Sequence, residues 1–159
     1  QLDLAKMQKE LGDEYIILLR THYFIADVLD LSEYEGFAYN LSKYDDIARL
    51  YLISDVLITD YSSVFFDYAN LRRPMLFFTY DLEKYRSVLR GFYIDVEEEL
   101  PGPMLMTTEE VIGALQNIEN VVTEYSDKYT AFCDKYCAWE DGTAAKKVVE
   151  TVFSDKSNK

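Results

Sequence analysis

The residues best suited to chemistry form a hydroxyl-rich turn in the middle of the chain. Residues 59–63 read Thr-Asp-Tyr-Ser-Ser and directly follow the apolar residues 56–58. If a buried strand ends here and a helix begins, hydroxyls and free backbone N–H groups gather at the helix start, where a phosphate can bind. The competing interpretation is structural: Ser62 or Ser63 is merely an N-cap, and Asp60 satisfies the turn. Spacing alone leaves both interpretations open.

A cationic pair follows an earlier apolar run. Arg20 and His22 come directly after residues 15–19, and their side chains could neutralise a diphosphate and assist its departure. The alternative is an ordinary solvated histidine on a loop. Asp67 lies one helical turn after Ser63, so it either faces the same pocket or is an exposed helix carboxylate.

Several familiar catalytic and metal-binding signatures are missing from the sequence. It contains no glycine-rich phosphate loop of the G-x-G-x-x-G or G-x-x-x-x-G-K-[ST] type and no G-x-S-x-G elbow. Cys133 and Cys137 are one helical turn apart, but the single histidine supplies no further ligands, so we interpret both as buried, reduced thiols. Residues 97–99, all glutamate, are interpreted as a solvated acidic stretch. We predict no metal and no cofactor.

The composition limits the classes of partner. The 159 residues include 16 basic and 29 acidic side chains, a net charge of -13 that argues against nucleic-acid binding. No polybasic cluster favours membrane attachment through this segment, and no apolar run approaches the roughly 20 residues that span a bilayer. No signal peptide is expected, so the segment itself is predicted to be soluble. Because the first residue is Gln, we expect a fragment of a longer protein.

The elements that must position the candidate residues alternate between strand and helix, the pattern of a parallel sheet. Strands are predicted at residues 15–19, 36–39, 56–59 and 75–78. Asp45 and Asp46 suit the first turn of one helix, and a second helix over residues 64–71 is ended by Arg73 and Pro74. Ligands of such sheets bind at the carboxyl ends of the strands, which here carry Arg20, Thr59 and, at the third such position, residues 79–81.

The last third of the chain is predicted to be helical. Residues 81–90 suit a short helix, and residues 101–103, Pro-Gly-Pro, a rigid turn. Three helices follow: one opens with a capping box of Thr107 and Glu110, one has an aromatic core-facing stripe from Tyr125 to Trp139, and one ends the chain before a frayed tail at 154–159. We therefore predict one α/β domain over residues 1–159, with a Rossmann-like parallel sheet, flanking helices and a helical C-terminal end.

The order of these motifs resembles the CDP-glycerol glycerophosphotransferase family, the teichoic acid polymerases and primases. Residues 54–69 are similar to the signature of that family, and the remaining matching segments keep the same order: residues 18–22, 73–78, 80–81, 85, 90–93 and 100–103. The resemblance extends over nearly the whole chain.

The resemblance implies the C-terminal, donor-binding half of a two-domain GT-B fold. The family transfers glycerol phosphate from CDP-glycerol to a membrane-linked acceptor and releases CMP, at the cytoplasmic face of the bacterial membrane. By position, His22 is expected to act on the donor diphosphate as a catalytic residue. The expected donor-binding residues are Arg20, Thr59, Asp60, Ser62, Ser63 and Asp67.

The chain departs from the family in one large respect. It has no His-Gly-Thr motif, which in the family carries a second histidine upstream, and it lacks the acceptor-binding N-terminal region. We therefore expect the isolated chain to bind nucleotide weakly and not to turn over. The alternatives are a GT-B transferase that uses CDP-ribitol or a nucleotide sugar, and a non-catalytic nucleotide-binding module.

Overall fold

A computed structural model of the chain describes residues 2–21, 30–80 and 95–153. The described strands are β1 (Ile17–Leu19), β2 (Ala38–Asn40), β3 (Leu57–Thr59), β4 (Met75–Phe78) and β5 (Met104–Leu105). The described α-helices are α1 (Leu4–Leu11), α2 (Ile47–Ile53), α3 (Val64–Tyr68), α4 (Val96–Glu99), α5 (Thr108–Gln116), α6 (Ile118–Tyr136) and α7 (Ala144–Phe153), with 3-10 turns at Ser32–Tyr34 and Ala69–Leu71. His22, the helix predicted over 81–90 and the tail 154–159 lie outside the described residues.

Every pairing among these strands is parallel. β1 pairs with β2, and β4 lies between β3 and β5 in a three-stranded sheet. Parallel neighbours need crossover connections, and α3 lies in the connection between β3 and β4. The predicted parallel α/β arrangement is confirmed.

The sequence of β4 explains the layering. Its four apolar residues are all buried, and successive side chains alternate between the two faces of the sheet. On one face, Leu76 and Phe78 join a core shared with α1 and α5. On the other face, Met75 and Phe77 join a core shared with α3 and α6. Helices therefore cover both faces, as a strand without any polar residue requires.

Gly102 sets the approach of β5 to β4. A Cβ built on Gly102 would lie 1.9 Å from the Met75 carbonyl oxygen, so only glycine allows this contact between two backbones. The Pro103 carbonyl then accepts a hydrogen bond of 2.9 Å from Phe77 N–H and starts the β4–β5 ladder. The Pro-Gly-Pro segment therefore packs directly against β4 and leads into β5.

Local details of three predictions were wrong. Asp46 is the N-cap of α2, and its carboxylate accepts from Ala48 N–H, so neither Asp45 nor Asp46 lies in the first turn. The strand predicted at residues 15–19 is shorter: β1 begins at Ile17, and Ile16 before it is exposed. α6 ends at Tyr136, which leaves Trp139 beyond the helix with 77% of its surface exposed rather than in the core.

Candidate functional site

The hydroxyl-rich turn lies at the carboxyl end of β3, as predicted. β3 ends at the half-buried Thr59, which lies opposite Phe77 of β4 in the sheet register. The carboxylate of Asp60 accepts a hydrogen bond of 3.0 Å from Ser62 N–H, and this bond orders the turn. Ser62 and Ser63 are both exposed just before α3 begins at Val64.

The side chain of Ser63 does not cap α3. Ser63 occupies the N-cap position with helical backbone angles, and its side chain makes no capping hydrogen bond. The Ser63 carbonyl accepts from Phe66 N–H at 3.1 Å, so only the backbone joins the helix. The purely structural interpretation therefore holds for Asp60, which satisfies the turn, and fails for the Ser63 hydroxyl.

The α3 helix contributes little electrostatic attraction by itself. It has five residues, little more than one turn, so few aligned peptide dipoles stand behind its N-terminus. A phosphate at this turn therefore depends on hydroxyl and N–H donors and on a cation from another element. Arg20, directly after β1, is the described candidate for that cation.

The end of β1 is fastened to the loop that follows β2. Arg20 is exposed, and its guanidinium donates a hydrogen bond to the Tyr44 carbonyl. Thr21 N–H donates to the Ser42 hydroxyl at 3.0 Å, and the two hydroxyls are also 3.0 Å apart. The backbone that carries Arg20 is thus held in place up to residue 21. His22, the predicted catalytic residue, follows this anchored position but lies outside the described residues.

Tyr51 of α2 is under the electrostatic influence of both Arg20 and Asp67, and it was not predicted as a site residue. Burial raises the pKa of the Tyr51 phenol, the Asp67 carboxylate raises it further, and the Arg20 guanidinium lowers it. Both the exposed Asp67 of α3 and Arg20 after β1 therefore act on the charge state of this phenol. The only signal in the sequence was a tyrosine in an otherwise aliphatic stripe, since a buried phenol needs a polar partner.

The Tyr51 hydroxyl has no such partner within the described part of the chain. It is the one buried side-chain polar atom there that lacks a hydrogen bond. Its ring packs edge-on against Tyr68, with 5.7 Å between centroids and 77° between planes. The Tyr68 hydroxyl, by contrast, donates to the Ser54 carbonyl at 2.9 Å.

At the third predicted position, residues 79–81 after β4, Thr79 and Tyr80 differ in their surroundings. Thr79 is buried, its N–H donates to the Leu105 carbonyl at 2.8 Å, and its hydroxyl lies 3.7 Å from the Met106 sulfur. The sheet therefore uses the polar groups of Thr79. Tyr80 is 57% exposed, and Asp81 lies outside the described residues.

Neither a metal site nor a reactive thiol emerges from the described residues. No group of three or more His, Cys, Asp or Glu side chains in residues 2–21, 30–80 and 95–153 could hold a metal ion. Both cysteines are free, and Cys133 is buried with its thiol against the Ala69 carbonyl. Burial raises the pKa of the Cys137 thiol to about 11, so it stays protonated at neutral pH.

A surface cavity lies at the edge of the sheet opposite the hydroxyl-rich turn of residues 59–63. Its volume is about 210 Å³, and Arg72, Met75, Pro101 and Tyr129 are among the residues that line it. Met75 is the first residue of β4, so the cavity is at the amino ends of the strands.

Among the described helices, none is long and apolar enough to cross a bilayer.

Comparison with known proteins shows which family has this arrangement. The CDP-glycerol:poly(glycerophosphate) glycerophosphotransferase family matches residues 1–154. The chain is 55% identical over 152 residues to the teichoic acid poly(glycerol phosphate) polymerase of Bacillus subtilis strain 168, which covers 96% of this chain and 20% of that protein. It is 45% identical over 151 residues to the teichoic acid glycerol-phosphate transferase of Staphylococcus aureus strain NCTC 8325, or 95% of this chain and 38% of that protein.

The fold agrees with a solved member of the same group. A structure of the wall teichoic acid polymerase TagF, a variant soaked with CDPG, matches with a TM-score of 0.88 and 48% identity over 96% of this chain and 38% of that chain. The fold class is therefore the predicted one, a Rossmann-like half of a GT-B fold. The chain spans 20% to 38% of the length of these three proteins. By sequence and by fold, it belongs to the CDP-glycerol:poly(glycerophosphate) glycerophosphotransferase family.

Proposed function

We propose that this chain holds the CDP-glycerol donor in an enzyme that transfers glycerol phosphate to a membrane-linked, teichoic-acid-type acceptor and releases CMP. The observation that carries the proposal is the order of similarity among relatives. The chain is 55% identical to a poly(glycerol phosphate) polymerase but 38% identical to a poly(ribitol-phosphate) polymerase over nearly the same length. The carboxyl ends of β3 and β1, with the exposed Ser62 and Ser63 after the first and the exposed Arg20 after the second, suit the diphosphate of such a donor.

Each residue of that edge has a role that its chemistry supports. Ser62, Ser63 and Thr59 donate hydrogen bonds to phosphate oxygens, and Asp60 keeps the turn that presents them. Arg20 supplies the positive charge that a diphosphate needs in a chain of net charge -13. These roles lower the free energy of the bound donor, and the attraction of Arg20 grows as negative charge develops on the departing CMP.

Two further residues complete the proposed donor site. The Asp67 carboxylate accepts hydrogen bonds from hydroxyls of the glycerol group. A carboxylate directly beside the diphosphate would be repelled by its negative charge, so Asp67 suits the glycerol end of the donor and not the phosphates. His22 neutralises the diphosphate next to Arg20 and is proposed as the catalytic residue of this half.

The transfer itself needs groups from both halves of the longer protein. An acceptor hydroxyl oxygen forms a bond to the phosphorus of the glycerol phosphate group. The bond from that phosphorus to the oxygen bridging to CMP breaks, and CMP leaves with the electron pair. The proton of the acceptor hydroxyl passes to a general base outside this chain. The isolated chain is therefore expected to bind the donor weakly and to show no turnover.

Calorimetric titration of the longer protein with CDP-glycerol, CDP-ribitol, CMP and UDP-glucose tests the proposal. CDP-glycerol should bind most tightly. Arg20→Gln should weaken donor binding about tenfold or more, as expected for a charge-assisted contact. Arg72→Gln is the matched control, because it removes the same charge at the opposite edge of the sheet and should leave donor affinity unchanged.

The outcomes separate the alternatives. Tighter binding of CDP-ribitol would replace glycerol by ribitol as the alcohol. Equal binding of UDP-glucose would remove the cytidine assignment and favour a nucleotide-sugar transferase. Binding of CDP-glycerol with no transfer to any polyol-phosphate acceptor would leave a non-catalytic nucleotide-binding module.

A further inference from the structure

A short loop after β2 holds the segment that carries Arg20. The loop consists of residues 41–44, and we call it the 41–44 loop. Leu41 N–H donates to the Leu19 carbonyl at 2.8 Å, directly after the last paired position of β1 and β2. Beyond this bond a side chain continues the pairing, because Thr21 N–H donates to the Ser42 hydroxyl at 3.0 Å. The residue type at position 42 therefore decides how the chain after β1 is held.

Ser42 makes two contacts with Thr21 and is itself held at the end of β2. Its hydroxyl accepts from Thr21 N–H and lies 3.0 Å from the Thr21 hydroxyl. Its own N–H donates to the Asn40 side-chain oxygen at 3.1 Å. Both Ser42 and Thr21 are half-buried. A hydroxyl can donate one hydrogen bond and accept others, so serine or threonine at position 42 can make both contacts, whereas alanine can make neither.

The same loop also directs the Arg20 side chain. The Arg20 guanidinium donates to the Tyr44 carbonyl, two residues after Ser42. A guanidinium carries five N–H donors, so one bond to a carbonyl fixes its direction while other donors can still reach a phosphate. The 41–44 loop thus holds both the backbone next to Arg20 and the charged end of its side chain.

Such fastening matters for an exposed arginine that binds a ligand. Arg20 is exposed, and a long, exposed side chain loses rotamer freedom when a ligand orders it. A guanidinium that the free protein already holds has lost part of that freedom before binding, so the ligand binds more tightly. The gain depends on the position of the 41–44 loop relative to β1, and the contacts between Ser42 and Thr21 fix that position.

We propose that Ser42 is a positioning residue, whose hydroxyl holds the 41–44 loop against Thr21 so that the Arg20 guanidinium is presented to the diphosphate of the donor. This role rests on the proposed donor-binding function and adds to it the residue that orders its cation. Ser42 acts through Arg20 and does not touch the donor, because its hydroxyl is already used by two contacts with Thr21.

Calorimetric titration of the longer protein with CDP-glycerol, for Ser42→Ala and Ser42→Thr with and without Arg20→Gln, tests this role. Ser42→Ala alone should weaken binding about fivefold, as expected for the loss of one hydrogen bond's worth of order. Ser42→Thr should bind like wild type, since the hydroxyl is kept. In the Arg20→Gln background, Ser42→Ala should cause no further loss, because residues that act through one another are not additive.

Ser54→Ala is the matched control. The Ser54 hydroxyl is also half-buried and hydrogen-bonded, and it donates to the Leu50 carbonyl at 2.7 Å. Its removal should leave the affinity for CDP-glycerol unchanged. A fivefold loss in this control would show that any lost hydroxyl of the domain weakens the donor, and the role of Ser42 would then be merely structural.

Two further results would overturn the positioning role. One is unchanged affinity in Ser42→Ala. The other is a loss of the same factor whether or not the Arg20 guanidinium is present. If Ser42→Ala does not fold, Thr21→Val carries the same test, because it removes the contact between the hydroxyls and keeps the backbone N–H. Thr21→Val should weaken binding by a smaller factor, and only while Arg20 is present; unchanged affinity there would equally refute the role.

Failure of the proposed function has a different signature. Absence of CDP-glycerol binding to the wild-type protein, or unchanged affinity in Arg20→Gln, would refute the donor-binding role of this edge and the role of Ser42 with it. A tenfold loss in Arg20→Gln with no effect of Ser42→Ala would keep the donor site and reject only the positioning residue.

Discussion

Tyr51 allows the sharpest test of the site geometry. Its hydroxyl is buried without a hydrogen-bond partner within the described part of the chain, so the folded protein carries the cost of desolvating that group. An unsatisfied buried polar group costs about 1–3 kcal/mol. Tyr51→Phe removes the hydroxyl and keeps the ring that packs edge-on against Tyr68. We therefore expect the substitution to stabilise the ligand-free protein by about 1 kcal/mol, the lower end of that range, because the residue is only partly buried.

Tyr68→Phe is the matched control with the opposite expected sign. The Tyr68 side chain is fully buried, and its hydroxyl donates to the Ser54 carbonyl at 2.9 Å. That carbonyl also accepts from the Arg73 guanidinium at 2.6 Å, so it keeps one partner after the substitution. The loss is therefore one ordinary hydrogen bond, and we expect destabilisation of about 1 kcal/mol.

Native-state hydrogen exchange over α2 and α3 measures both effects, since it reports local opening free energies whatever the size of the longer protein. The two tyrosine variants should shift exchange protection in opposite directions. Loss of protection in Tyr51→Phe as large as in Tyr68→Phe would show that the Tyr51 hydroxyl has a partner. The assignment of Tyr51 as a buried, unsatisfied hydroxyl would then be refuted.

Three predictions concern the framework of the sheet. Hydrogen bonds from Lys135 and then Tyr136 lower the pKa of Glu99 to about 2, so its stabilising effect is complete above the unfolded-state pKa near 4.5 and is lost as the pH falls toward 2; the stability difference between wild type and Glu99→Gln, measured by urea denaturation, should shrink over that window. Gly102→Ala places a Cβ against a carbonyl oxygen 1.9 Å away and should destabilise the protein by about 3 kcal/mol in the same assay, unlike a tolerated substitution. Gly113→Ala is the tolerated substitution, because a Cβ at this position of α5 meets nothing within 4 Å. The replacement of a helical glycine by alanine should stabilise the protein by about 1 kcal/mol. Destabilisation by Gly113→Ala would contradict the open space at this position.

The features that the sequence predicted well are those that local rules specify. The four apolar residues of β4 indicated a doubly buried strand, and the Thr107–Glu110 capping box starts α5 with both hydrogen bonds present. The prediction that Trp139 faces the core was wrong, because the aromatic periodicity continues past the end of the helix. α6 ends at Tyr136, whose ring still packs against Phe66. The spacing of the aromatic residues did not indicate where α6 ends.

The candidate site was only partly predictable for a similar reason. Thr59 to Ser63 form one local segment, so their place at a strand end followed from the order of apolar and polar residues. Tyr51 approaches Arg20 and Asp67 only after α2 has folded back on the sheet, and no spacing rule relates residues that far apart in the chain. Whether a tyrosine hydroxyl finds a partner is a tertiary property, and in the sequence Tyr51 and Tyr68 are the same residue type.

The two edges of the sheet should therefore respond differently to substitution. At the carboxyl edge, Ser63 is exposed and makes no capping bond, so truncating its side chain removes little that the folded protein uses. At the amino edge, Gly102 meets the Met75 backbone, where an added methyl group has no room. Substitutions of exposed residues at the first edge should change donor affinity at nearly constant stability, and those at the second should do the reverse. A variant such as Ser63→Ala that lost stability and affinity in proportion would show that the edge is part of the fold's own packing rather than a site left open for a ligand.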